Sequence, residues 1–568
     1  MANEFEPGES GAQDSGGIEV PTPSGAPVSS AGRRLARAAT LVMVATALSR
    51  VLGYAREVVQ AALFGAGMQV DAYRVAAQLP NLFRIMLADA AISAAFIPVL
   101  SSFLARGEED EGWRFVSTVT NLMALVFLGV IAFGMVLASP LVNILAPGFA
   151  ANSAKHELSV YLTRIMFPAL LFMAGSGIVQ GILNSYDRFF VGAISPVLWN
   201  IVIIASMVMF GHRYGIVSLA AGLTIATVAQ FLFQVPFIGK PLRKYRPVID
   251  LHHPGVREFL GLLVPIVLSA ATTDINTVVD SRFASLLGEG SVASLGYAIR
   301  VFMVPTGVFG VAIATVLYPT LSRQATRKEY SELRKNLSAG IRMTIALIAP
   351  VTVFFVAFAL PIVRLLFERG KFTASASLMT ASPLLYYCLG LVAMSVATLL
   401  NRAFYAMKDS RTPLVVAVVS IVVNYVGDWV LMRALPLAYR NLGLPASFAW
   451  LGYGHGGIAL STSTVVLFQA LALAYLFRRK FGPIEGRSVL AVSARTLAAS
   501  LVALVPAYFA YAELSRAVAG TLGLLAGIVA SLAVFCGLYL ALAILFKVRE
   551  VSTGLSLVLS RIRGARKD

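Results

Sequence analysis

The sequence predicts an all-α polytopic membrane protein of about fourteen transmembrane helices, two six-helix lobes in parallel repeat plus two C-terminal helices, and three observations carry that prediction. Of 568 residues, 58% are hydrophobic and 13% charged, with a mean hydropathy of +0.79, whereas a soluble domain is roughly 45–50% apolar and 25% charged. Apolar runs long enough to cross a bilayer, about 20 residues each, recur from Leu35 to Phe546 with short polar breaks. Landmarks also repeat at an offset of about 222: Gly65 and Gly67 with Gly288 and Gly290, Pro98 with Pro319, Gly148 with Gly370, and Asp187 with Asp409. An even number of spans per half makes the repeat parallel, and transporters built this way place the substrate between the halves.

In chain order, residues 1–35 are rich in Gly, Ser, Pro and acids and lack an apolar core, which predicts a disordered cytoplasmic tail and not a signal peptide. An N-lobe, 36–240, holds spans near 36–63, 71–104, 115–145, 157–183, 190–210 and 216–238. A C-lobe, 241–485, holds spans near 258–286, 292–322, 337–366, 376–406, 413–432 and 456–477. Two further spans, near 489–512 and 518–546, occupy 486–546, and a basic cytoplasmic tail follows over 547–568. Pro80, Pro98 and Pro305 interrupt the second and eighth spans as bending points or static kinks.

The net charge of +18 raises the possibility of nucleic acid, but 28 of the 46 Lys and Arg lie in loops and tails on one side and about 7 on the other. That asymmetry is an orientation signal, placing both termini in the cytoplasm. Cys388 and Cys536 fall inside apolar runs and the five histidines lack metal spacing, so no disulfide or zinc framework is predicted. GYGHGG at 452–457 reads as a loop and helix start. No Walker motif or nucleophile–base pair is present, which argues against an enzyme and against ATP hydrolysis as a motor.

Eleven cations remain inside the spans, all of them arginine. Each central one costs roughly 2.5–3.5 kcal/mol on insertion scales and needs a wet cavity or a partner. Arg74, Arg364 and Arg495 lie near span ends and are expected to snorkel. Arg50, Arg56, Arg84 and Arg300 lie deeper and are expected to be functional, because a guanidinium offers a planar fork for phosphate or carboxylate that lysine lacks. Arg50 and Arg56 stand about 120° apart and roughly 9 Å along one helix, so they border a broad cavity and do not form a stripe. Glu57 and Asp71 are expected counter-ions to Arg56 and Arg74.

A second set is acidic. Asp280 lies late in the seventh span, and Asn424 and Asp428, spaced i, i+4, share a helix face. With the hydroxyl of Thr462, these oxygens suit a hard cation or a proton relay; the alternative is that Asp280 pairs with Arg282 or Arg300.

The stretches SRVLGYARE (Ser49–Glu57), LFGAGMQVDAY (Leu63–Tyr73), LPNLFR (Leu79–Arg84) and AAFIPVLSSF (Ala94–Phe103) closely resemble the opening of the MurJ/MviN lipid II flippases, in the multidrug/oligosaccharidyl-lipid/polysaccharide exporter superfamily. APGF (Ala146–Phe149), VPTGVFGVAIATVLYPTLS (Val304–Ser322) and GKFT (Gly370–Thr373) extend the likeness, which runs from the first span to the last. The resemblance implies a cationic cavity between two lobes, with the last two helices forming a groove for a lipid tail. It places the family's substrate-binding residues on Arg50, Arg56, Arg84, Arg300 and Asp71, and a sodium site on Asp280, Asn424, Asp428 and Thr462. Ile85, Ile299 and Gln78 stand where relatives often carry charges, and the segment from Ala434 to His455 is longer.

The expected function is therefore translocation of an undecaprenyl-diphosphate-linked disaccharide-peptide from the cytoplasmic to the outer leaflet of a bacterial inner membrane, by alternating access, with Na+ as coupling ion. Alternatives are a flippase for another polyprenyl-linked glycan, a drug or cation antiporter, and a non-transporting scaffold that recruits cell-wall synthases. The arginine set disfavours cationic drugs.

Overall fold

Long apolar runs have one stable form in lipid, the helix, because no water is present to satisfy free backbone groups. In the computed structural model, which describes residues 30–84 and 95–552, the described residues are helical with no strand. The N-lobe comprises α1 (Ser30–Phe64), α2 (Met68–Phe83), α3 (Ile97–Ala105), α4 (Glu109–Val136), α5 (Ala138–Leu145), α6 (Ser153–Met166), α7 (Ala169–Ser185), α8 (Phe189–Tyr214) and α9 (Val217–Gln234). The C-lobe comprises α10 (Pro254–Ser285), α11 (Ser291–Pro305), α12 (Val311–Thr326), α13 (Tyr330–Ala357), α14 (Ala359–Phe367), α15 (Ala374–Leu389), α16 (Leu391–Ala406), α17 (Arg411–Asn441) and α18 (Gly454–Phe481). Two more helices follow, α19 (Gly486–Ala517) and α20 (Gly520–Leu545); they pack on each other, α19 against α13 and α20 against α14.

The offset of 222 relates the lobes helix by helix, from α1 and α10 through α8 and α17. It fails only at α9 and α18, because the longer segment intervenes. That segment, expected as a loop, is mostly folded: α17 continues to Asn441, and a 3-10 turn over Ala446–Gly452 is held by Tyr386, whose hydroxyl donates to the Leu451 carbonyl at 2.8 Å. Equivalent caps start equivalent helices. Asn152 Oδ1 accepts from Lys155 N (3.1 Å) at α6, and Thr373 Oγ1 accepts from Ala376 N (3.2 Å) at α15.

Among the described residues, nine helices are long and apolar enough to cross a membrane, or ten if α15 and α16, bent by 46°, form one span. The expected count of fourteen is not reached on that criterion. The four spans left out are α1, α2 with α3, α10, and α11 with α12, the first two of each lobe. They are also the spans that carry Arg50, Arg56, Arg74, Arg84, Arg300, Glu57, Asp71 and Asp280. Residues 85–94, including Ile85 and Ala94 of the second span as read from the sequence, lie outside the described residues.

Helix α1 already begins at Ser30, while residues 1–29 lie outside the described ones. At the other end Val548 and Val551 are buried, and Glu550 bonds to Arg342 at 2.8 Å; residues 553–568 lie outside.

The lobes meet along a seam at the C-terminal ends of α1 and α10. Lys371 N donates to the Ala62 carbonyl at 2.8 Å, and a Cβ on Gly370, whose φ is +58°, would overlap that carbonyl. Gly148 N donates to Ser285 Oγ at 3.2 Å, and a Cβ there would overlap the Ser285 carbonyl. The two contacts are related by the same offset to within one residue, so the seam is pseudo-two-fold. Met68 N donating to Glu289 Oε1 (2.7 Å) and Tyr297 Oη donating to the Gly65 carbonyl (3.0 Å) complete it.

Candidate functional site

Glu57, 4% exposed on α1, is the hub of a charged cluster between the lobes. Arg74 Nη2 on α2 lies 2.8 Å from its Oε2, Arg56 Nη2 lies 3.0 Å from its Oε1, and Arg300 Nε on α11 approaches that same Oε1 at 3.7 Å. A carboxylate this buried in a membrane protein needs such partners. Three arginines around one acid leave the cluster formally cationic. Aromatic faces hold two of them in place: Arg56 stacks 4.9 Å over Trp199, and Arg74 4.9 Å over Tyr297. Tyr54 Oη donates to the Arg300 carbonyl at 2.8 Å, tying α1 to α11.

The Arg300 side chain is the accessible member, 55% exposed against 16% for Arg56 and 15% for Arg74. Arg50, two turns earlier on α1, is exposed. Arg84 follows the end of α2, about ten residues or roughly 15 Å beyond Arg74, and its Nη2 donates to Asn81 Oδ1 at 2.9 Å. Arg56 and Arg300 thus converge, while Arg50 and Arg84 extend the basic surface along their helices.

Two expectations need correction. Arg74 does not snorkel to an interface; it is buried and bonded to Glu57. Asp71 is not its counter-ion: it is 0% exposed and accepts from Lys155 Nζ (2.6 Å), Gly290 N (2.8 Å) and Ala293 N (2.7 Å). Its carboxylate therefore faces the first turn of α11, where unsatisfied N–H groups favour an anion, and it joins three helices at the seam. Lys155, counted above as a loop cation, is 7% exposed. Sequence reasoning missed it and the hub role of Glu57. The available signal was that Glu57 is the acid of the first span and Asp71 the first acid of the second, each needing a cation close by.

The acidic set converges inside the C-lobe. Asn424 Nδ2 donates to Asp280 Oδ1 (2.7 Å) and to Asp428 Oδ2 (3.4 Å), and Thr462 Oγ1 donates to Asp280 Oδ2 (3.4 Å). The alternative partners of Asp280 are engaged elsewhere, Arg282 on the Ile144 carbonyl at 2.6 Å and Arg300 on Glu57. Asp428 is 0% exposed, and its Oδ1 is buried with no hydrogen-bond partner among the described residues. Two carboxylates, an amide and a hydroxyl, with one orphaned oxygen, form a donor set that fits a small hard cation. No group of three or more His, Cys, Asp or Glu able to hold a metal ion occurs among the described residues.

Two pseudo-symmetric helical lobes, a cationic cluster between them and a buried acidic set in one lobe define a transporter of the multidrug/oligosaccharidyl-lipid/polysaccharide exporter class. An inward-facing multidrug resistance transporter of the MATE family in that superfamily shares the fold, with a TM-score of 0.59 at 16% identity over 76% of this chain and 96% of that one. A family model described as lipid II flippase MurJ matches residues 60–525, and the chain belongs to that family. The lipid II flippase MurJ of Burkholderia cenocepacia is 33% identical over 454 residues, 79% of this chain and 84% of the relative. The probable lipid II flippase MurJ of Rhizobium meliloti is 31% identical over 492 residues, 82% and 91% of the two chains. A solved structure of lipid II flippase MurJ in an inward closed conformation superposes with a TM-score of 0.72 at 26% identity, covering 89% of this chain and 99% of that one.

Proposed function

We propose that this protein translocates an undecaprenyl-diphosphate-linked disaccharide-peptide from the cytoplasmic to the outer leaflet by alternating access, with both termini in the cytoplasm. The observation that carries the reading is the convergence of Arg56, Arg74 and Arg300 on one buried carboxylate between the lobes. A diphosphate bids for the same guanidinium groups as Glu57, and Arg300, with the longest ion pair and the most exposed side chain, is the one free to swing first. Arg50 and Arg84 would receive the remaining phosphate oxygens. Asp71 does not touch the lipid; it acts through α11, holding the outer seam shut while the cytoplasmic side loads. The α19–α20 hairpin, appended to the C-lobe, offers the prenyl tail a lipid-facing path.

Asp280, Asn424, Asp428 and Thr462 would hold Na+, whose charge would offset that of the two carboxylates. Joining α10, α17 and α18 through one site lets its filling bias the C-lobe toward one arrangement. Rocking that moves one net charge across the membrane potential is worth about 2.3 kcal/mol per 100 mV.

The test is complementation of a bacterial strain depleted of its own lipid II flippase. The intact chain is expected to restore growth and Arg300→Ala, at matched membrane abundance, is expected not to. Rescue by Arg300→Ala would sink the clamp, and failure of both chains would point to a different glycan lipid.

A further inference from the structure

An apolar groove of about 320 Å³ runs along the N-lobe, with α7 as its floor, α4 and α9 as its walls and the segment after α9 closing one end. Trp113, Met123, Gly175, Ile178, Phe231 and Tyr245 are among its lining residues. Its volume is that of a ligand site. On either side α4 exposes Leu125 and Leu128, and α9 exposes Ile225 and Leu232, so the groove lies among lipid-facing side chains.

The C-lobe shows what a filled version looks like. At the positions related by 222 to Met123, Gly175, Ile178 and Ile182 stand Ile345, Ala397, Leu400 and Phe404, packed in one core with Phe477 and Phe481. The Phe404 ring lies 5.7 Å from Phe477 and 5.9 Å from Phe481. In the N-lobe, where Ile182 replaces Phe404, the corresponding space stays open.

The closing segment supplies charge. Lys240, Arg243 and Arg246 are exposed on it, whereas Lys244 is engaged with Glu109 and Asp110, each at 2.8 Å. It is strapped to α4, with Arg246 N donating to Ser117 Oγ (3.1 Å), Asn121 Nδ2 to the Val248 carbonyl (2.9 Å) and Tyr245 Oη to Asn121 Oδ1 (2.5 Å). The basic groups are therefore held at the mouth of an apolar slot, the arrangement by which basic patches at a membrane surface take anionic headgroups.

We propose that this groove binds an acyl chain of an anionic glycerophospholipid, with its phosphate on Lys240, Arg243 and Arg246. The substrate's prenyl tail is the poorer occupant. None of the lining residues comes from α1, α2 or α11, which carry the arginine cluster, and a diphosphate clamped there cannot also sit at this mouth. Because the strapped segment is the covalent link between the lobes, the bound lipid stiffens the linker about which they rock.

The test uses the full chain in vesicles with Trp113 as the sole tryptophan, Trp199, Trp429 and Trp450 being changed to Phe. Its fluorescence is titrated with phosphatidylglycerol or phosphatidylcholine brominated on the acyl chains. Half-maximal quenching is expected at about a tenfold lower mole fraction of the anionic lipid. Joint Lys240→Glu and Arg243→Glu substitution, on exposed side chains, is expected to remove that preference, and Ala124→Phe, inside the groove, to reduce quenching by both lipids. Equal quenching by the two lipids, quenching unchanged in Ala124→Phe, or displacement of brominated phosphatidylglycerol by a polyprenyl-diphosphate lipid would each overturn the proposal. The readout is independent of transport, so it stands or falls apart from the flippase reading.

Discussion

The N-lobe and C-lobe share one helical plan and carry opposite chemistry on it. In the N-lobe, α1 and α2 bring Arg56 and Arg74 onto the buried acid Glu57, with Arg50 and Arg84 farther along the same helices. In the C-lobe, α10 and α17 bury Asp280 and Asp428 around one amide, with no basic partner among the described residues. A duplicated scaffold thus supplies position, and substitutions at a few inward sites supply the ligand. The difference also predicts how each lobe fails: the N-lobe when its acid is lost, the C-lobe when its acids are left uncompensated.

The largest expected effect is Glu57→Gln. Removing the acid strands three arginines, and breaking a buried ion pair costs about 3–5 kcal/mol, so thermal unfolding in detergent should drop sharply and complementation should fail. Unchanged stability would mean the cluster is already solvated. Next is Asp71→Asn, which leaves Lys155 uncompensated and weakens the grip on α11, a loss of about 3 kcal/mol by the same reasoning. Cysteine labelling from the outer side should show the seam opening more often in this variant.

A smaller effect tests the acidic lobe. Sodium at 100 times its Kd stabilises a one-site protein by about 2.7 kcal/mol, so the intact chain should melt higher in NaCl than in choline chloride. Asp428→Asn should abolish that difference and melt above the intact chain in choline, because one of two like charges is gone. A sodium shift that survives the substitution would remove Asp428 from the site. Cap removal should treat the lobes alike: Asn152→Ala and Thr373→Ala are each expected to cost about 1 kcal/mol and to add when combined.

The smallest effect is in acid, at the loop before α17. Asp409 feels burial, which raises its pKa, but Lys480 Nζ at 2.7 Å and the Thr412 hydroxyl at 2.7 Å outweigh it and hold the carboxyl down to about 2. A depressed carboxylate stabilises the fold above its unfolded value near 4, and that contribution is lost as pH falls through 2. Acid unfolding of Asp409→Asn should be flatter between pH 4 and 2 than that of the intact chain.

Much of this was legible in the residues because glycine and proline landmarks mark places where backbone geometry, not side-chain packing, is fixed. Gly148 and Gly370 announced the repeat, and both stand at the seam. Arg56 and Arg300 were legible from depth alone, since a charge far from either end of a span has few places to go. Arg74 and Lys155 were misread for the complementary reason: depth along one helix does not reveal what a helix 17 or 84 residues away presents to it. Asp71 was placed among substrate contacts because a charge inside a span looks the same whether it faces a cavity or the N-terminus of another helix. Its partners, Gly290 and Ala293, are backbone groups that no pattern of side chains encodes.

The seam carries a further consequence for how such proteins diverge. Its Ala62–Lys371 hydrogen bond joins main-chain atoms, and Gly148 donates its own amide to Ser285. Main-chain contacts are inherited with the path of the backbone and tolerate drift in almost every neighbouring side chain. Tolerance of side-chain substitution around the seam should therefore be broad and punctuated, with intolerance strongest at Asp71 and at Gly65, Gly148, Gly290 and Gly370, whose lack of a Cβ lets the backbones touch.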